Sequence, residues 1–256
     1  MIISRTPYRI SFFGGGTDYP EWYLKNGGEV LSGTINKYLY VSIRDLPPFF
    51  KHKFRIVYSK IEMVKDYKSI SHGVVREGLK LVNKGIHNGY EIHYDGDVPA
   101  RAGLGSSSSF VVGFLNALHN HLNKKISTKQ LAYLSINLEQ NILCETVGSQ
   151  DQIAASFGGF NSIKFYKDGK FKIVKIKKSE KDLEKLSKNF LMVFTGINRT
   201  AKFIADTYVN KLNKKKKDLF EIISQVETAK HLLYENKIFE FGKLLNETWK
   251  IKRMLS

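Results

Sequence analysis

The chain has 256 residues, 42% hydrophobic and 25% charged, with one cysteine and a formal net charge of +17. That length supports a core without disulfide staples, the lone Cys144 cannot form an internal bridge, and no apolar run is long enough for a signal peptide or a bilayer span. The expected compartment is therefore a reducing cytoplasm, with Cys144 as a small buried side chain. The positive charge is mostly scattered Lys, densest at Lys214–Lys217, without interleaved aromatics or Arg clusters. A basic surface suits nucleic acid, anionic membrane or small phosphorylated ligands, but this pattern is weak evidence for nucleic-acid recognition, and a solvated lysine-rich surface is the plain alternative.

Ile2 to Phe13 reads as β structure broken at Pro7, followed by the glycine turn Gly14-Gly15-Gly16-Thr17-Asp18. Lys37 to Ile43 alternates as a strand should, and Phe54 to Tyr58 is its expected neighbour. His72 to Asn83 reads as a helix, and Tyr90 to Tyr94 as a strand. Phe110, Phe114 and Leu118 recur every four residues, with Val111, Leu115 and Leu122 beside them, which predicts a deeply buried helix. A further helix starts at Ser127, where Gln130 completes a capping box, and carries the stripe Leu131, Leu134, Leu138 and Ile142.

Gly148 to Gln152 breaks that helix and opens a short Ala-rich one. Phe160 to Phe165 and Phe171 to Ile176 flank Asp168-Gly169 as a hairpin. Lys177 to Lys188 is polar and suggests a boundary between two lobes, and Phe190 to Phe194 reads as a buried strand. From about Thr200 to Trp249 the chain is helical, with Leu219, Ile222, Ile223, Val226 and Ala229, then Leu232 and Leu233, supplying one apolar face. Strands early and helices late make the class α+β, divided as residues 1–180 and 181–256.

The stretch richest in chemistry is Pro99-Ala100-Arg101-Ala102-Gly103-Leu104-Gly105-Ser106-Ser107-Ser108-Ser109, between a strand and a helix. Glycines allow close backbone approach to a ligand, and a helix N-terminus offers unpaired N–H donors and partial positive charge, which suit a phosphate. It is not a P-loop, because no Lys lies between Gly103 and Asn116, nor a dinucleotide fingerprint, because position 108 is Ser. A serine-capped helix after a flexible turn is the plain alternative.

Two companions complete a pattern: Pro7-Tyr8-Arg9-Ile10-Ser11-Phe12-Phe13-Gly14-Gly15-Gly16-Thr17-Asp18 and Gly148-Ser149-Gln150-Asp151-Gln152. With the glycine-serine turn they resemble the GHMP superfamily of small-molecule kinases, which holds the galactokinases, homoserine kinases, mevalonate kinases and phosphomevalonate kinases. The resemblance implies a two-lobed fold, with an N-terminal mixed-sheet lobe like domain 2 of ribosomal protein S5 and an incomplete ferredoxin-like C-terminal lobe. It also implies ATP-dependent phosphorylation of a hydroxyl, with Mg²⁺ bridging the phosphates. On this resemblance Arg101, Gly103, Leu104, Gly105, Ser106, Ser107 and Ser108 bind the ATP phosphates, and Ser107 and Glu139 hold the metal. Asp151 matches the residue that accepts the hydroxyl proton, Arg9 the basic residue that stabilises the transferred phosphoryl, and Asp18 a carboxylate that contacts sugar hydroxyls, with Gly15, Gly16 and Thr17 beside it.

Galactokinases carry Gly-Glu-His-Thr-Asp where this chain has Gly14-Gly15-Gly16-Thr17-Asp18, so galactose is a poor candidate. The Phe-Gly-Gly-Gly-Thr-Asp form resembles the branch of fucose kinases and D-glycero-D-manno-heptose 7-phosphate kinases, the latter most closely. That branch implies phosphorylation of the anomeric hydroxyl of a heptose 7-phosphate, for nucleotide-activated heptose and surface glycans. A substrate phosphate would draw on Lys51, Lys53, Arg55, Arg101 or Arg199, the arginines being better suited by their planar fork. The expected partners are therefore a sugar phosphate and ATP, with no nucleic acid or membrane, and with a homodimer left open. The family's third, glycine-rich motif has no counterpart after Asn198, and the resembled kinases continue beyond Ser256. The expectation is a truncated relative, whether a fragment or a natural chain, in which activity or mere sugar and nucleotide binding both remain open.

Overall fold

The computed structural model describes residues 1–82, 88–100, 102–196, 209 and 212–255. In chain order the main described elements are β1 (Ile2–Phe13), α1 (Pro20–Asn26), β2 (Gly28–Asp45), β3 (Phe54–Val57), β4 (Ile61–Val64), α2 (Gly73–Val82), β5 (Tyr90–Gly96), α3 (Ser106–His121), α4 (Thr128–Asn137), α5 (Gln150–Phe157), β6 (Phe160–Phe165), β7 (Phe171–Lys175), α6 (Glu180–Ser187), α7 (Lys216–Tyr234) and α8 (Ile238–Leu255). The class is α+β. Two compact units emerge, neither continuous in sequence: Met1–Tyr8, Ile35–Glu145 and Asp151–Gly158 form the first, and Arg9–Thr34, Thr146–Gln150 and Gly159–Ser256 the second. Both β1 and β2 contribute to each unit, so the division differs from the expected one at residue 180. The polar stretch there forms α6, whose Ser179 hydroxyl accepts from the Asp182 amide and whose Leu186 joins the second unit's core.

In the first unit the second half of β2 pairs antiparallel with β5 (Val41 opposite Tyr94), and β5 pairs parallel with β3 (Ile92 opposite Ile56), which in turn pairs antiparallel with β4. Val41, Ile43, Ile56 and Ile92 are fully buried there with Val111, Phe114, Leu115 and Leu118 of α3. The predicted four-residue spacing of α3 thus faces the core. Gly113 lets strand and helix approach: the Ser4 hydroxyl donates to its carbonyl at 2.7 Å, and a Cβ there would lie 2.7 Å from Thr6 Oγ1. Glu91 of β5 shows how this unit tolerates a nearly buried charge. Burial alone would raise its pKa, but hydrogen bonds from His93, Arg44 and Arg55 outweigh that and hold it at about 2.

α4 begins with the predicted Ser127–Gln130 capping box. Its last turn widens into a π turn, Leu138–Ile142, in which the Leu143 amide donates to the Leu138 carbonyl at 2.9 Å. In the second unit the first half of β2 pairs with β6 (Val30 opposite Ile163) and β6 pairs with β7 across the predicted Asp168-Gly169 turn. Leu31 and Phe13 pack there with Val226, Ala229 and Leu233 of α7 and Phe241 of α8. Lys230 of α7 reaches the buried Glu29 of β2 at 2.9 Å, satisfying a carboxylate that would otherwise be costly inside the core.

Four local expectations are corrected. β1 runs unbroken through Pro7, as a strand can wherever the missing amide has no ladder role. Cys144 is exposed, because it follows the π turn in a left-handed conformation that turns the chain outward. Ile142, at the end of the π turn, falls off the buried stripe and is also exposed. Phe190 to Phe194 is not a buried strand: Leu191 is 88% exposed, and among the described residues this segment joins no ladder. The helical reading of the tail holds for α7 and α8, while residues 197–208 and 210–211 lie outside the described ones.

The tightest helix contact in the first unit is at Gly78 of α2, where a Cβ would fall 2.6 Å from a ring carbon of the fully buried Phe114. Gly78→Val is expected to lower the unfolding free energy by roughly 1–3 kcal/mol. Adding Phe114→Leu should cost less in that background than in the wild type, a coupling readable by urea denaturation of the four variants.

Candidate active site

Two clusters carry the predicted chemistry, one in each unit. In the first, Gly103 and Gly105 take left-handed backbone angles (φ 77° and 74°), which glycine adopts at little cost. Gly105 is the residue before α3, and no side chain caps the helix. The serines are used sideways instead. The Ser108 hydroxyl donates to Glu139 Oε2 at 2.8 Å, Ser107 points at Oε1 from 3.4 Å, and Ser109 donates to the Pro7 carbonyl at 3.1 Å. The serine-capped alternative is thereby excluded, and the end of α3 keeps its donor-rich, electropositive character.

Glu139 has no exposed surface. It stands on the π turn and also accepts a hydrogen bond from the Gln152 amide of α5. Glu139 is thus an interior carboxylate of the first unit. Burial pushes its pKa up to about 7; the bonds from Gln152 and Ser108 pull it down, and the nearby carboxylates of Glu145 and Asp151 push it further up. Among the described residues no basic side chain pairs with it, and no group of three or more His, Cys, Asp or Glu could hold a metal. One hydroxyl and one buried carboxylate are hard oxygen donors of the kind Mg²⁺ takes when phosphates and water complete its shell. The residues present therefore fit that ion. Asp151 lies in the first turn of α5, half-buried.

In the second unit the glycine turn after β1 fixes Asp18. Gly14 and Gly16 have φ of 82° and 106°, and the Gly16 amide donates to Asp18 Oδ1 at 2.9 Å. The Ser149 amide donates to the Asp18 carbonyl at 2.9 Å and the Gln150 amide to Oδ2 at 3.4 Å. A Cβ on Gly148 would lie 1.9 Å from Oδ2, so only glycine fits beside this carboxylate. The Gly-Ser-Gln segment and the glycine turn, far apart in sequence, thus meet at Asp18, which is 2% exposed. Lys252 of α8 is near enough to feel both Asp18 and Arg9. Burial lowers its pKa, Asp18 opposes that, and the Arg9 charge adds to it.

Not every expected residue faces a ligand. Thr17 is fully buried, and its hydroxyl donates to the carbonyls of Gly14 (2.8 Å) and Glu29 (3.2 Å), so it holds the turn and a substrate role is withdrawn. Arg55 is paired with the buried Glu91, which gives it a structural partner where a substrate phosphate was expected. The Leu104 side chain packs against the first unit's core. Arg101 and Arg199 lie outside the described residues. Gln152 and Lys252 were missed. Lys252 does carry a signal, since Phe241, Leu245, Thr248 and Lys252 share one helical face and the first and third are buried.

Residues 71–159 match the family described as the GHMP kinases N terminal domain. A D-glycero-alpha-D-manno-heptose 7-phosphate kinase of Campylobacter jejuni is 27% identical over the whole of this chain and 78% of its own length. A bifunctional fucokinase/GDP-fucose pyrophosphorylase of Arabidopsis thaliana is 25% identical over 97% of this chain and 26% of its own length. The solved structure of a D-glycero-D-manno-heptose 1-phosphate kinase from Bacteroides thetaiotaomicron has a TM-score of 0.84 at 23% identity, covering 99% of this chain and 79% of that one, a likeness of fold. By their names these relatives are kinases, phosphotransferases that act on a sugar. More particularly, residues 71–159 are similar to the N-terminal domain of the GHMP kinases.

The state of Glu139 makes stability depend on pH. Its folded pKa of about 7 lies above the ordinary 4.5, so between those values the folded protein binds the extra proton. That contribution is fully present below about pH 4.5 and is lost as pH rises through 7, on the order of 3 kcal/mol. Glu139→Gln should flatten this part of the curve, as measured by denaturant unfolding of ligand-free protein in metal-free buffer from pH 5 to 8.

Proposed function

We propose that this chain is an ATP-dependent sugar kinase that phosphorylates the anomeric hydroxyl of D-glycero-D-manno-heptose 7-phosphate. The observation that carries the reading is the Ser107, Ser108 and Glu139 cluster beneath the Gly103–Gly105 turn, inside the segment that matches the GHMP kinases N terminal domain. The similarity to the Campylobacter enzyme over the whole chain supports the choice of sugar.

Phosphoryl transfer of this kind rests on positioning and charge neutralisation. The Gly103–Ser108 backbone and the start of α3 receive the ATP phosphates. Mg²⁺, held by the Ser107 hydroxyl and the Glu139 carboxylate, would neutralise phosphate charge. Asp18 accepts a hydrogen bond from a hydroxyl of the sugar, and Gly15 and Gly16 keep the approach to it open. The acceptor oxygen forms its bond to the γ-phosphorus while the bridging bond to the β-phosphate breaks and ADP leaves. The acceptor's proton passes to Asp151, and Arg9, always charged, stabilises the negative charge of the transferred group.

The names of the two heptose-kinase relatives differ in the position of the sugar's phosphate, and the Arabidopsis relative acts on fucose. An assay with Mg-ATP should therefore compare heptose 7-phosphate, heptose 1-phosphate, L-fucose and galactose, following ADP release. ADP release dependent on heptose 7-phosphate is expected. Release with fucose alone would move the assignment to that sugar, and binding without release would make the chain a binder. Asp151→Asn is expected to lower kcat by about 100-fold or more while the unfolding midpoint stays unchanged. Near-normal turnover by that variant would remove Asp151 from the mechanism.

A further inference from the structure

The exposed hydrophobic side chains Phe49 and Leu191 form no surface whose occupant the structure identifies, and the Glu91 and Glu29 ion pairs are internally satisfied. The open side of Gly15, within the second unit, is different. Gly15 has ordinary backbone angles, so nothing in the turn itself demands glycine there. A Cβ on it would nevertheless lie 2.8 Å from Lys252 Nζ, 3.1 Å from Ser11 Oγ and 3.6 Å from Gln150 Nε2. Three polar side chains from β1, the start of α5 and α8 converge on a bare Cα.

Two of them are incompletely satisfied. Ser11 Oγ and Gln150 Oε1 are buried and have no hydrogen-bond partner among the described residues, and Gln150 as a whole is 8% exposed. Leaving such an atom unpaired costs about 1–3 kcal/mol. The ammonium of Lys252 is held close to a second cation, Arg9, and is half-buried, and both effects disfavour its charge. Asp18, beside it, works the other way. A site that gathers these groups is organised for a polar ligand.

The chemistry of the groups says which ligand. An ionised Asp18 can only accept a hydrogen bond, and a charged Lys252 can only donate, whereas Ser11 and Gln150 can do both. A strict acceptor next to a strict donor matches two neighbouring hydroxyls, one donating to Asp18 and the other accepting from Lys252. We infer that Lys252 is an acceptor-binding residue of the sugar site, reading with Ser11 and Gln150 the hydroxyl adjacent to the one bound by Asp18. The inference rests on the kinase reading for its substrate class. It assigns specificity for a vicinal diol to a residue of the C-terminal helix.

The test uses the full chain with Mg-ATP and heptose 7-phosphate, varying each substrate in turn. Lys252→Met is expected to raise the KM for the sugar by about ten- to a hundredfold and to leave the KM for ATP within about twofold, with Lys252→Arg recovering part of the loss. Gly15→Ala should do the same without touching Lys252, because its methyl fills the space and meets only the ends of side chains. Its thermal midpoint should stay near that of the wild type. An unchanged sugar KM in folded Lys252→Met or Gly15→Ala, or a parallel rise in both KM values, overturns the inference. If the wild type releases no ADP with any sugar, the kinase reading fails on its own. The inference is then decided by calorimetric titration of heptose 7-phosphate: binding that is lost in Gly15→Ala supports it, and equal binding, or none to either protein, overturns it.

Discussion

A carboxylate with no access to water shapes the first unit's chemistry. Glu139 is held by Ser108 at the start of α3 and by Gln152 on α5, so one buried group ties a helix start, a π turn and a second helix together. Burying it is unfavourable in the ionised form, which is why its pKa rises despite two good hydrogen bonds. A positive charge brought close to the carboxylate would relieve that cost. The surrounding hydroxyls are already turned toward the carboxylate and need no rearrangement.

The second unit solves a related problem by shape. Asp18 is nearly inaccessible, yet the backbone amides of Gly16 and Gln150 donate to its carboxylate and that of Ser149 to its carbonyl. Gly148 makes this possible by leaving the space that any side chain would occupy. Amides are fixed donors that neither titrate nor change rotamer, so the carboxylate keeps one orientation. Thr17 contributes to the same rigidity from below, through the carbonyls of Gly14 and Glu29.

Much of this was legible in the sequence wherever the signal was local. The Ser127–Gln130 cap, the Asp168-Gly169 hairpin and the buried periodicity of α3 all depend on residues within a few positions of one another, and all are present. The glycine-serine turn and the Gly14–Asp18 turn were found because their backbone needs restrict composition. What was not legible depends on long-range pairing. Arg55 read as a substrate ligand because Glu91, its partner from another strand, is invisible at a separation of 36 residues. Cys144 and Phe190 to Phe194 were judged by polarity alone, but their exposure is decided by a left-handed turn and by which strands find a ladder. Lys252 was hidden among 41 basic residues, although its helical face carries the mark of burial.

The π turn at Leu138–Ile142 has a consequence for how this protein can vary over generations. An α-helix advances about 100° per residue, so a single-residue deletion there would let the helix relax to regular α geometry. Such a change would improve local backbone bonding, and it would swing Glu139 away from Ser108 and Gln152. Substitutions around the turn can accumulate gradually, whereas changes in its length are all-or-none. The five residues of the turn therefore act as a length-sensitive gauge, and descendants of this chain that keep the chemistry must keep the count.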